Sequence, residues 1–188
     1  LHNGESKWSK NIRKQIERLS GLMKNLLTLA RMEEGTAPVV MTDLDMSKLT
    51  KEVADSFAES AKLKQIELQT KITSDIKLHA NREEMTQLLT ILLDNAIKYS
   101  VEQADIVLML AKRGKEVTLC CENTCGKLPD VEADRLFDRF YRFDAARTQK
   151  SGGYGIGLSV ARAIVQNHKG KISAEYKDGN RIVFKVEL

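Results

Sequence analysis

The chain of 188 residues is 42% hydrophobic and 30% charged, with a formal net charge of +4, which fits one domain with an appendage. Aromatic residues make up only 5% and are not interleaved with a block of lysines and arginines, so we expect no nucleic-acid partner. No apolar run approaches the roughly 18 residues that would span a membrane, and no signal peptide is visible. Because the chain begins at Leu1 rather than Met, we expect it to be a piece of a longer protein.

Residues 5–34 are predicted to form one long helix that is apolar on one side. Its apolar residues recur at spacings of three and four, as in a coiled-coil or bundle helix. Gly35 and Pro38 end this helix. Because one face is so apolar, we expect a partner helix, from a second copy or from sequence upstream. The apolar seam consists of Trp8, Ile12, Ile16, Leu19, Met23, Leu26 and Ala30.

Three further helices are predicted downstream. Ser47 is placed to cap the first, which extends to about residue 62. Ala80 or Asn81 opens the second, whose apolar residues keep a helical spacing up to Tyr99. The third follows a glycine-rich turn at residues 151–157.

Short strands fill the sequence between these helices. Turn signals at residues 112–115 and at Asp178-Gly179 join later strands into hairpins. The order of elements predicts an α+β fold, a two-layer sandwich in which a mixed, mostly antiparallel sheet carries helices on one face. The predicted strands cover residues 39–44, 66–72, 76–80, 106–111, 117–121, 171–176 and 181–186.

The three cysteines, Cys120, Cys121 and Cys125, lie close together. An odd number fits a reducing compartment. Cys121 and Cys125 have a spacing that a metal site could use, but no second Cys or His pair lies nearby in the sequence. We therefore expect Cys120 and Cys121 to end a strand, one on each face, with Cys125 in the following loop.

The stretch 151–170, SGGYGIGLSVARAIVQNHKG, joins a glycine-rich turn to a helix. Glycines there tolerate a positive φ and let backbone N–H groups approach a ligand closely. The helix start adds unpaired N–H groups and the positive end of the helix dipole, which suit a phosphate. We interpret this stretch as the phosphate cradle of a nucleotide site, although a simple turn before a helix would have the same composition.

A polar cluster interrupts the apolar helix that ends at Tyr99. Asp94, Asn95, Lys98 and Tyr99 fall within about one turn, and Asn95 and Lys98 share a face because they are three residues apart. An amide oxygen is a hard ligand that suits Mg²⁺, and a lysine suits phosphate oxygens. Asp94 is placed to accept a proton or to position a nucleophile. On the pattern alone, the solvated edge of a core helix remains the alternative.

Three motifs together carry a resemblance to a known family. LLTILLDNAIKYS, LFDRFYRFD and GGYGIGLSVARAIVQNHKGKI, in this order and spacing, resemble the N box, the F box and the second glycine-rich box of bacterial sensor histidine kinases. The first helix, IRKQIERLSGLMKNLLTLARMEEG, is similar to the second helix of the dimerisation and histidine-phosphotransfer hairpin of those kinases. The resemblance therefore implies such a helix in residues 1–36. For residues 37–188 it implies a catalytic domain of the Bergerat ATP-binding fold, shared with gyrase, mismatch-repair ATPases and the heat-shock chaperone ATPase.

The resemblance also implies roles for the matching residues. Asn95 matches the ligand of the Mg²⁺ that is bound to the ATP phosphates, and Asp94 matches a general base or positioning residue. Lys98 and Tyr99 match contacts to phosphates and nucleotide, with Lys98 also catalytic. Phe137, Phe140 and Tyr141 match the F box, at the base of an ATP lid over residues 128–152. Further implied nucleotide contacts are Asn123, Arg139, Arg142, Gly153, Tyr154, Gly155, Ile156, Gly157 and Leu158.

The chain departs from the family pattern at the end of the site that would hold the adenine. The first glycine-rich box normally reads Asp-x-Gly-x-Gly, but CENTCGKLPD places Asn123 at the Asp and Cys125 and Lys127 at the glycines. Ile91 stands where the N box usually has a second Asn. An Asn carbonyl still accepts a hydrogen bond from the adenine amino group, but as a neutral acceptor it makes a weaker bond.

None of the histidines, His2, His79 and His168, lies in the His-Glu/Asp motif of the family's phosphoacceptor, so the resemblance places that histidine upstream of Leu1. We expect the cytoplasmic ATP-binding catalytic portion of a membrane-anchored sensor histidine kinase. It would use ATP and Mg²⁺, form a homodimer through its N-terminal helix and pass a phosphoryl group, by way of the histidine, to a response regulator receiver domain. The alternative is a degenerate, non-catalytic module for dimerisation, scaffolding or phosphatase control. A serine kinase of the anti-sigma type on the same fold is a more distant alternative.

Overall fold

The structure is a computed structural model that describes residues 7–34, 40–142 and 154–188. Within these ranges, no helix combines the length and the hydropathy that a membrane crossing requires. The helices are α1 (Lys7–Glu34), α2 (Met46–Leu63), α3 (Arg82–Tyr99) and α4 (Gly157–Asn167), with a 3-10 helix at Ala133–Phe137. The strands are β1 (Thr42–Asp45), β2 (Glu67–Ile72), β3 (Lys77–Ala80), β4 (Asp105–Arg113), β5 (Glu116–Thr124), β6 (Lys171–Lys177) and β7 (Arg181–Glu187).

Five strands form the main sheet in the order β2-β4-β5-β7-β6. The pair β2 and β4 is parallel and the other pairs are antiparallel. Strands β1 and β3 form a separate antiparallel pair. Helices α2, α3 and α4 cover one face of the main sheet, so the predicted α+β sandwich with a mixed, mostly antiparallel sheet is confirmed.

The core lies between α3 and the covered face of the sheet. On the central strand β5, Leu119 and Cys121 are fully buried, whereas Cys120 and Glu122 between them are only half-buried. This alternation follows from the strand period of two, and it places Cys120 and Cys121 on opposite faces, as predicted. The two cysteines do not end the strand, however, because β5 continues to Thr124. On α3 the fully buried residues recur at helical spacing; they are Met85, Leu88, Leu89, Leu92, Leu93 and Ala96.

Side-chain caps explain where α2 and α3 begin. Asn81 caps α3, as predicted, because its Oδ1 accepts a hydrogen bond from the Glu84 N–H at 2.9 Å. The predicted cap of α2 is wrong. Asp45 caps that helix, with its Oδ1 accepting from the Lys48 N–H at 2.9 Å, and Ser47 lies inside the first turn. Asp45 ends β1 in the extended conformation that a capping residue needs.

Ser47 instead joins α2 to the turn between β2 and β3. Its hydroxyl donates to the Thr73 carbonyl at 2.7 Å and accepts from the Ile76 N–H at 2.9 Å. The Met46 N–H donates to the Ile76 carbonyl at 2.9 Å. Ile76 is buried, so its backbone groups have these protein partners in place of water.

Helix α1 contacts the domain through the C-terminal half of its length. Leu29 is buried and Leu22 packs against the same core. The Gln87 side chain on α3 donates to the Asn25 Oδ1 at 3.0 Å, and the Thr28 hydroxyl donates to the Gln87 Oε1 at 3.3 Å. The predicted apolar seam stays largely exposed nearer the N-terminus, with Trp8 80% exposed.

Replacing Ser47 by Ala should lower the free energy of unfolding by about 1–3 kcal/mol, because the Ile76 N–H would be left buried without a partner. The matched control is Ser56→Ala, since Ser56 lies on the exposed side of the same helix and donates only to the Val53 carbonyl within it. Urea unfolding measures both values. Equal losses in the two variants would contradict the role given to Ser47.

Candidate active site

The C-terminal half of α3 forms one wall of the candidate site. Asp94 is exposed there, and Asn95, Lys98 and Tyr99 are half-buried. The Lys98 ammonium lies 5.4 Å from the centre of the Tyr99 ring, within the range of a cation–π contact. The Lys64 ammonium donates to the Ile97 carbonyl at 2.9 Å. The four polar residues therefore lie together at the edge of the core.

Burial and charge act in opposite directions on Asp94. The protein around the carboxylate excludes enough water to raise its pKa above the ordinary value of 3.8, although the side chain keeps contact with solvent. The positive charges of Lys98 and Lys64 oppose this increase in pKa without cancelling it. Asp94 is therefore a stronger proton acceptor than an ordinary surface aspartate.

The opposite wall is the start of α4, which follows the glycine-rich turn. A Cβ added at Gly157, the first residue of α4, would lie 3.4 Å from Cγ2 of Ile91 on α3. Ile91 and Asn95 are four residues apart and so share a face of α3. The N-terminus of α4 therefore lies one helical turn from Asn95.

This helix start has no side-chain cap. Ile156 occupies the capping position, and no side-chain hydrogen bond is made there. The first N–H groups of a helix need an acceptor from outside the helix, and they attract anions. Ile156 is buried, Leu158 is half-buried and Tyr154 is exposed, so among these three predicted contacts Tyr154 is the one that projects into solvent.

Gly155 joins the glycine-rich turn to the base of the predicted lid. It has a φ of +71°, a conformation that favours glycine. The Phe140 N–H donates to the Gly155 carbonyl at 2.8 Å. A Cβ at Gly155 would lie 2.8 Å from both the Phe140 carbonyl carbon and the Tyr141 oxygen. Only glycine allows the two segments to approach this closely.

The F-box residues divide between the core and the surface. Phe137 is buried and packs edge-on against Phe184 with the ring centres 6.0 Å apart. Phe140 is 68% exposed, and its φ of +62° is unusual for a residue other than glycine. Tyr141 is half-buried. Arg139 and Arg142 are exposed at the start of the predicted lid, whose residues 143–153, including Gly152 and Gly153, lie outside the described residues.

Sequence reasoning missed Arg162, which braces the F box from α4. Its guanidinium carbon lies 4.2 Å from the centre of the Phe137 ring, and it forms a salt bridge with Asp134 in the 3-10 helix. A single charge inside the apolar run LSVARAIV was the available signal, because such a residue needs a specific partner.

The third side of the site is the end of β5. Asn123 is 1% exposed and lies on the covered face of the sheet, two residues after the buried Cys121. Its amide nitrogen donates to the Cys125 sulfur at 3.4 Å. The backbone of Cys125 forms an isolated antiparallel β-bridge with Ser100, the residue just after α3. In the described part of the chain, the buried hydroxyls of Ser100 and Tyr176 have no hydrogen-bond partner. Such polar atoms suit a ligand with its own donors and acceptors.

The cysteines are all free thiols. Burial raises the pKa of Cys121 to about 12 and also raises the pKa of Cys120 and of Cys125, so all three are poor nucleophiles at neutral pH. Within residues 7–34, 40–142 and 154–188, no group of three or more His, Cys, Asp and Glu side chains could hold a metal ion.

An uncapped helix start beside a polar helix end offers N–H donors and a lysine to an anion such as a phosphate. The chain belongs to the family of histidine kinase-, DNA gyrase B- and HSP90-like ATPases, which matches residues 80–188. The resemblance to this family that the three motifs suggested is thereby confirmed.

The chain is also similar to curated proteins named as sensors or sensor histidine kinases and to solved histidine kinase structures. The chain is 33% identical over 178 residues to the probable sensor protein PcoS of Escherichia coli, covering 93% of this chain and 37% of PcoS. It thus spans less than half the length of the curated relatives it matches. Full-length ShkA in complex with AMPPNP has a TM-score of 0.80 at 20% identity, covering 96% of this chain and 37% of that one. The histidine kinase ThkA in complex with the response regulator TrrA has a TM-score of 0.74 at 24% identity, covering 100% and 52%. At these identities the two structures support the fold alone.

Replacing Gly155 by Ala should cost more stability than the same change at Gly179. Both glycines have a positive φ, of +71° and +74°, but nothing lies within 4 Å of a Cβ at Gly179. Gly179→Ala should therefore cost only the backbone penalty of about 1–2 kcal/mol. Gly155→Ala should cost about 1–3 kcal/mol more because the base of the lid must move. Chemical denaturation compares the two, and equal losses would show that the contact between Gly155 and Phe140 contributes nothing.

Asp94→Asn should raise the free energy of unfolding at neutral pH. Because the pKa of Asp94 is higher in the folded protein than the ordinary value of 3.8, folding becomes less favourable as pH rises from that value to the raised one. Asp94→Asn lacks this penalty. Its free energy of unfolding should therefore exceed that of the unaltered chain above the raised pKa, and the difference should vanish below about pH 4. Asp55→Asn, at an exposed position of α2, controls for the loss of one negative charge. Unfolding midpoints across pH measure the effect, and an advantage that grows towards acid pH would have the wrong sign.

Proposed function

We propose that the chain is the ATP-binding catalytic part of a sensor histidine kinase, which passes the γ-phosphoryl group of ATP to a histidine. Membership of the ATPase family and the likeness to PcoS support this proposal. The observation that carries it is the close approach of Gly157 to Ile91, where a Cβ at Gly157 would lie 3.4 Å from Cγ2 of Ile91. This approach puts the uncapped start of α4 opposite the polar end of α3.

The triphosphate would lie between these two helix ends. The N–H groups at the start of α4 would bind phosphate oxygens, with the tight turn at Gly155 bringing backbone close to them. Lys98 supplies a positive charge from α3, and Arg139 and Arg142 supply two more from the base of the lid. In phosphoryl transfer, such groups act mainly by positioning and by neutralising charge.

Asn95 fits the role of a magnesium ligand. Its side chain is half-buried at the site and offers an amide oxygen, a hard donor atom of the kind that Mg²⁺ takes. Mg²⁺ typically takes only one or two protein ligands and completes its shell with waters and substrate phosphates, so a single amide oxygen is enough here. When bound, the ion would neutralise charge on the phosphates.

Asp94 would serve the histidine that receives the phosphoryl group. As a histidine nitrogen forms its bond to phosphorus, the bond from phosphorus to the ADP oxygen breaks and the imidazole must lose a proton. The exposed carboxylate of Asp94, with its raised pKa, would accept that proton or hold the imidazole in position.

The acceptor histidine would lie outside residues 1–188. His168 is buried, with Nδ1 donating to the Ile164 carbonyl at 2.9 Å and Nε2 accepting from the Asn81 N–H at 3.1 Å. Nε2 therefore joins the end of α4 to the start of α3, and Nδ1 is engaged by the carbonyl of α4 itself. His79 is exposed on β3 and faces Asp43 at 3.1 Å, away from the motif of a phosphoacceptor. His2 lies outside the described residues.

Two macromolecular partners complete the proposal. The exposed apolar seam of α1, from Trp8 to Leu26, would form a homodimer by packing against the hairpin of a second copy. ThkA, which shares this fold, was solved in complex with the response regulator TrrA, and by analogy we propose a response regulator as the next phosphoryl acceptor of this protein. The whole protein would then be a membrane-anchored sensor whose kinase portion lies in the cytoplasm.

Calorimetric titration with ATP tests this function. The unaltered chain should bind ATP, and Mg²⁺ should tighten the binding. Asn95→Ala should lose about tenfold or more of the Mg²⁺-dependent affinity. Thr90→Ala is the matched control, because Thr90 is on the exposed side of α3 and donates only to the Thr86 carbonyl of its own helix. Absence of binding by the unaltered chain at millimolar Mg-ATP would favour the degenerate, non-catalytic module instead.

A further inference from the structure

We propose that Cys125 is a positioning residue that orients the Asn123 amide, and that this orientation makes the site prefer adenine to a purine with an oxygen at C6. The inference rests on the proposed ATP-binding function. It concerns the two residues at which the chain departs from the first glycine-rich box of the kinases it resembles.

Contact with water does not determine the orientation of the Asn123 side-chain amide. It is 1% exposed and lies on a strand flanked on both sides, paired with Ile106 of β4 and Ile182 of β7. An aspartate at this position would present two equivalent oxygens. An amide presents an oxygen that only accepts hydrogen bonds and a nitrogen that only donates them. The partner inside the protein therefore decides which of the two faces the ligand.

Cys125 is that partner. Its sulfur lies 3.4 Å from the Asn123 amide nitrogen and serves as the acceptor. The thiol is 9% exposed, and burial raises its pKa, so it is a neutral group at physiological pH. Its backbone is fixed on two sides, by the N–H bond to the Asn180 carbonyl at 2.7 Å and by the bridge to Ser100. The sulfur thus has a fixed position, and its acceptance of the bond from the amide nitrogen places that nitrogen on the side of Cys125.

The consequence is chemical selectivity at C6 of the purine. With the nitrogen turned to Cys125, the carbonyl oxygen of Asn123 is the group left to face a ligand, and it accepts from the 6-amino group of adenine. Hypoxanthine, the base of inosine triphosphate (ITP), has an oxygen at C6, which would face the amide oxygen with no proton between them. Rotation of the amide by half a turn would reverse this preference.

The experiment measures the dissociation constants of Mg-ATP and Mg-ITP by calorimetry, with their ratio as the readout. Cys125→Ala frees the amide to rotate, so the preference for ATP should fall by about fivefold, the value of one ordinary hydrogen bond. Cys125→Ser keeps an acceptor and should retain the preference. Cys125→Val, close in size to cysteine but without an acceptor, should behave like the Ala variant and keeps the test valid if Cys125→Ala folds poorly.

A second background separates orientation from packing. In Asn123→Asp the carboxylate oxygens are equivalent, so the added change Cys125→Ala should leave the ratio of the two dissociation constants unchanged. A purely structural role for Cys125 would instead change both nucleotide affinities equally in either background. The inference is overturned if Cys125→Ala or Cys125→Val binds both nucleotides with the unaltered ratio, or if Cys125→Ser loses the preference as they do. Failure of the unaltered chain to bind either nucleotide would instead overturn the ATP-binding function, and this inference with it.

Discussion

The burial of α3 against the sheet determines where the chemical groups of the site lie. Leu88, Leu92 and Ala96 are fully buried, and exposing each leucine would cost about 1.5–3 kcal/mol. The helix therefore has one favourable rotation about its axis. With that rotation fixed, Asn95 and Lys98 emerge at the edge of the core instead of within it. The buried apolar residues of α3 thus determine the direction in which its polar residues point.

The same helix also positions the opposite wall. Ile91 lies beside the start of α4, close enough that a Cβ at Gly157 would be 3.4 Å from its Cγ2, so the neighbour of this helix start on α3 is apolar. The start of the predicted lid is held at two places. The Phe140 N–H donates to the Gly155 carbonyl in the turn before α4, and Arg162 of α4 lies over the Phe137 ring.

Periodicity and turn chemistry predicted most of the fold because both are local. The cap at Asn81 and the hairpin turns follow from residues close together in sequence. The cap of α2 was misassigned because Asp45 and Ser47 are both good capping residues, and only the contacts of Ser47 with the turn before β3 distinguish them. Arg162 was missed for the same reason, since a cation–π contact with Phe137 joins residues that are distant in sequence. The roles of Asp94, Asn95 and the glycine-rich box remain predictions from the motifs.

The two ends of the candidate site differ in charge, so we expect them to contribute differently to nucleotide binding. Under the proposed function, the phosphate end would combine the dipole of α4 with Lys98, Arg139 and Arg142. Attraction between opposite charges there would provide affinity that depends little on the base. The proposed base end is neutral. A carboxylate as buried as Asn123 would be costly, whereas an amide bonded to Cys125 costs little. The amide would therefore favour folding while making a weaker bond to adenine. Selectivity for the base would then depend on the direction in which the amide points, and not on its charge.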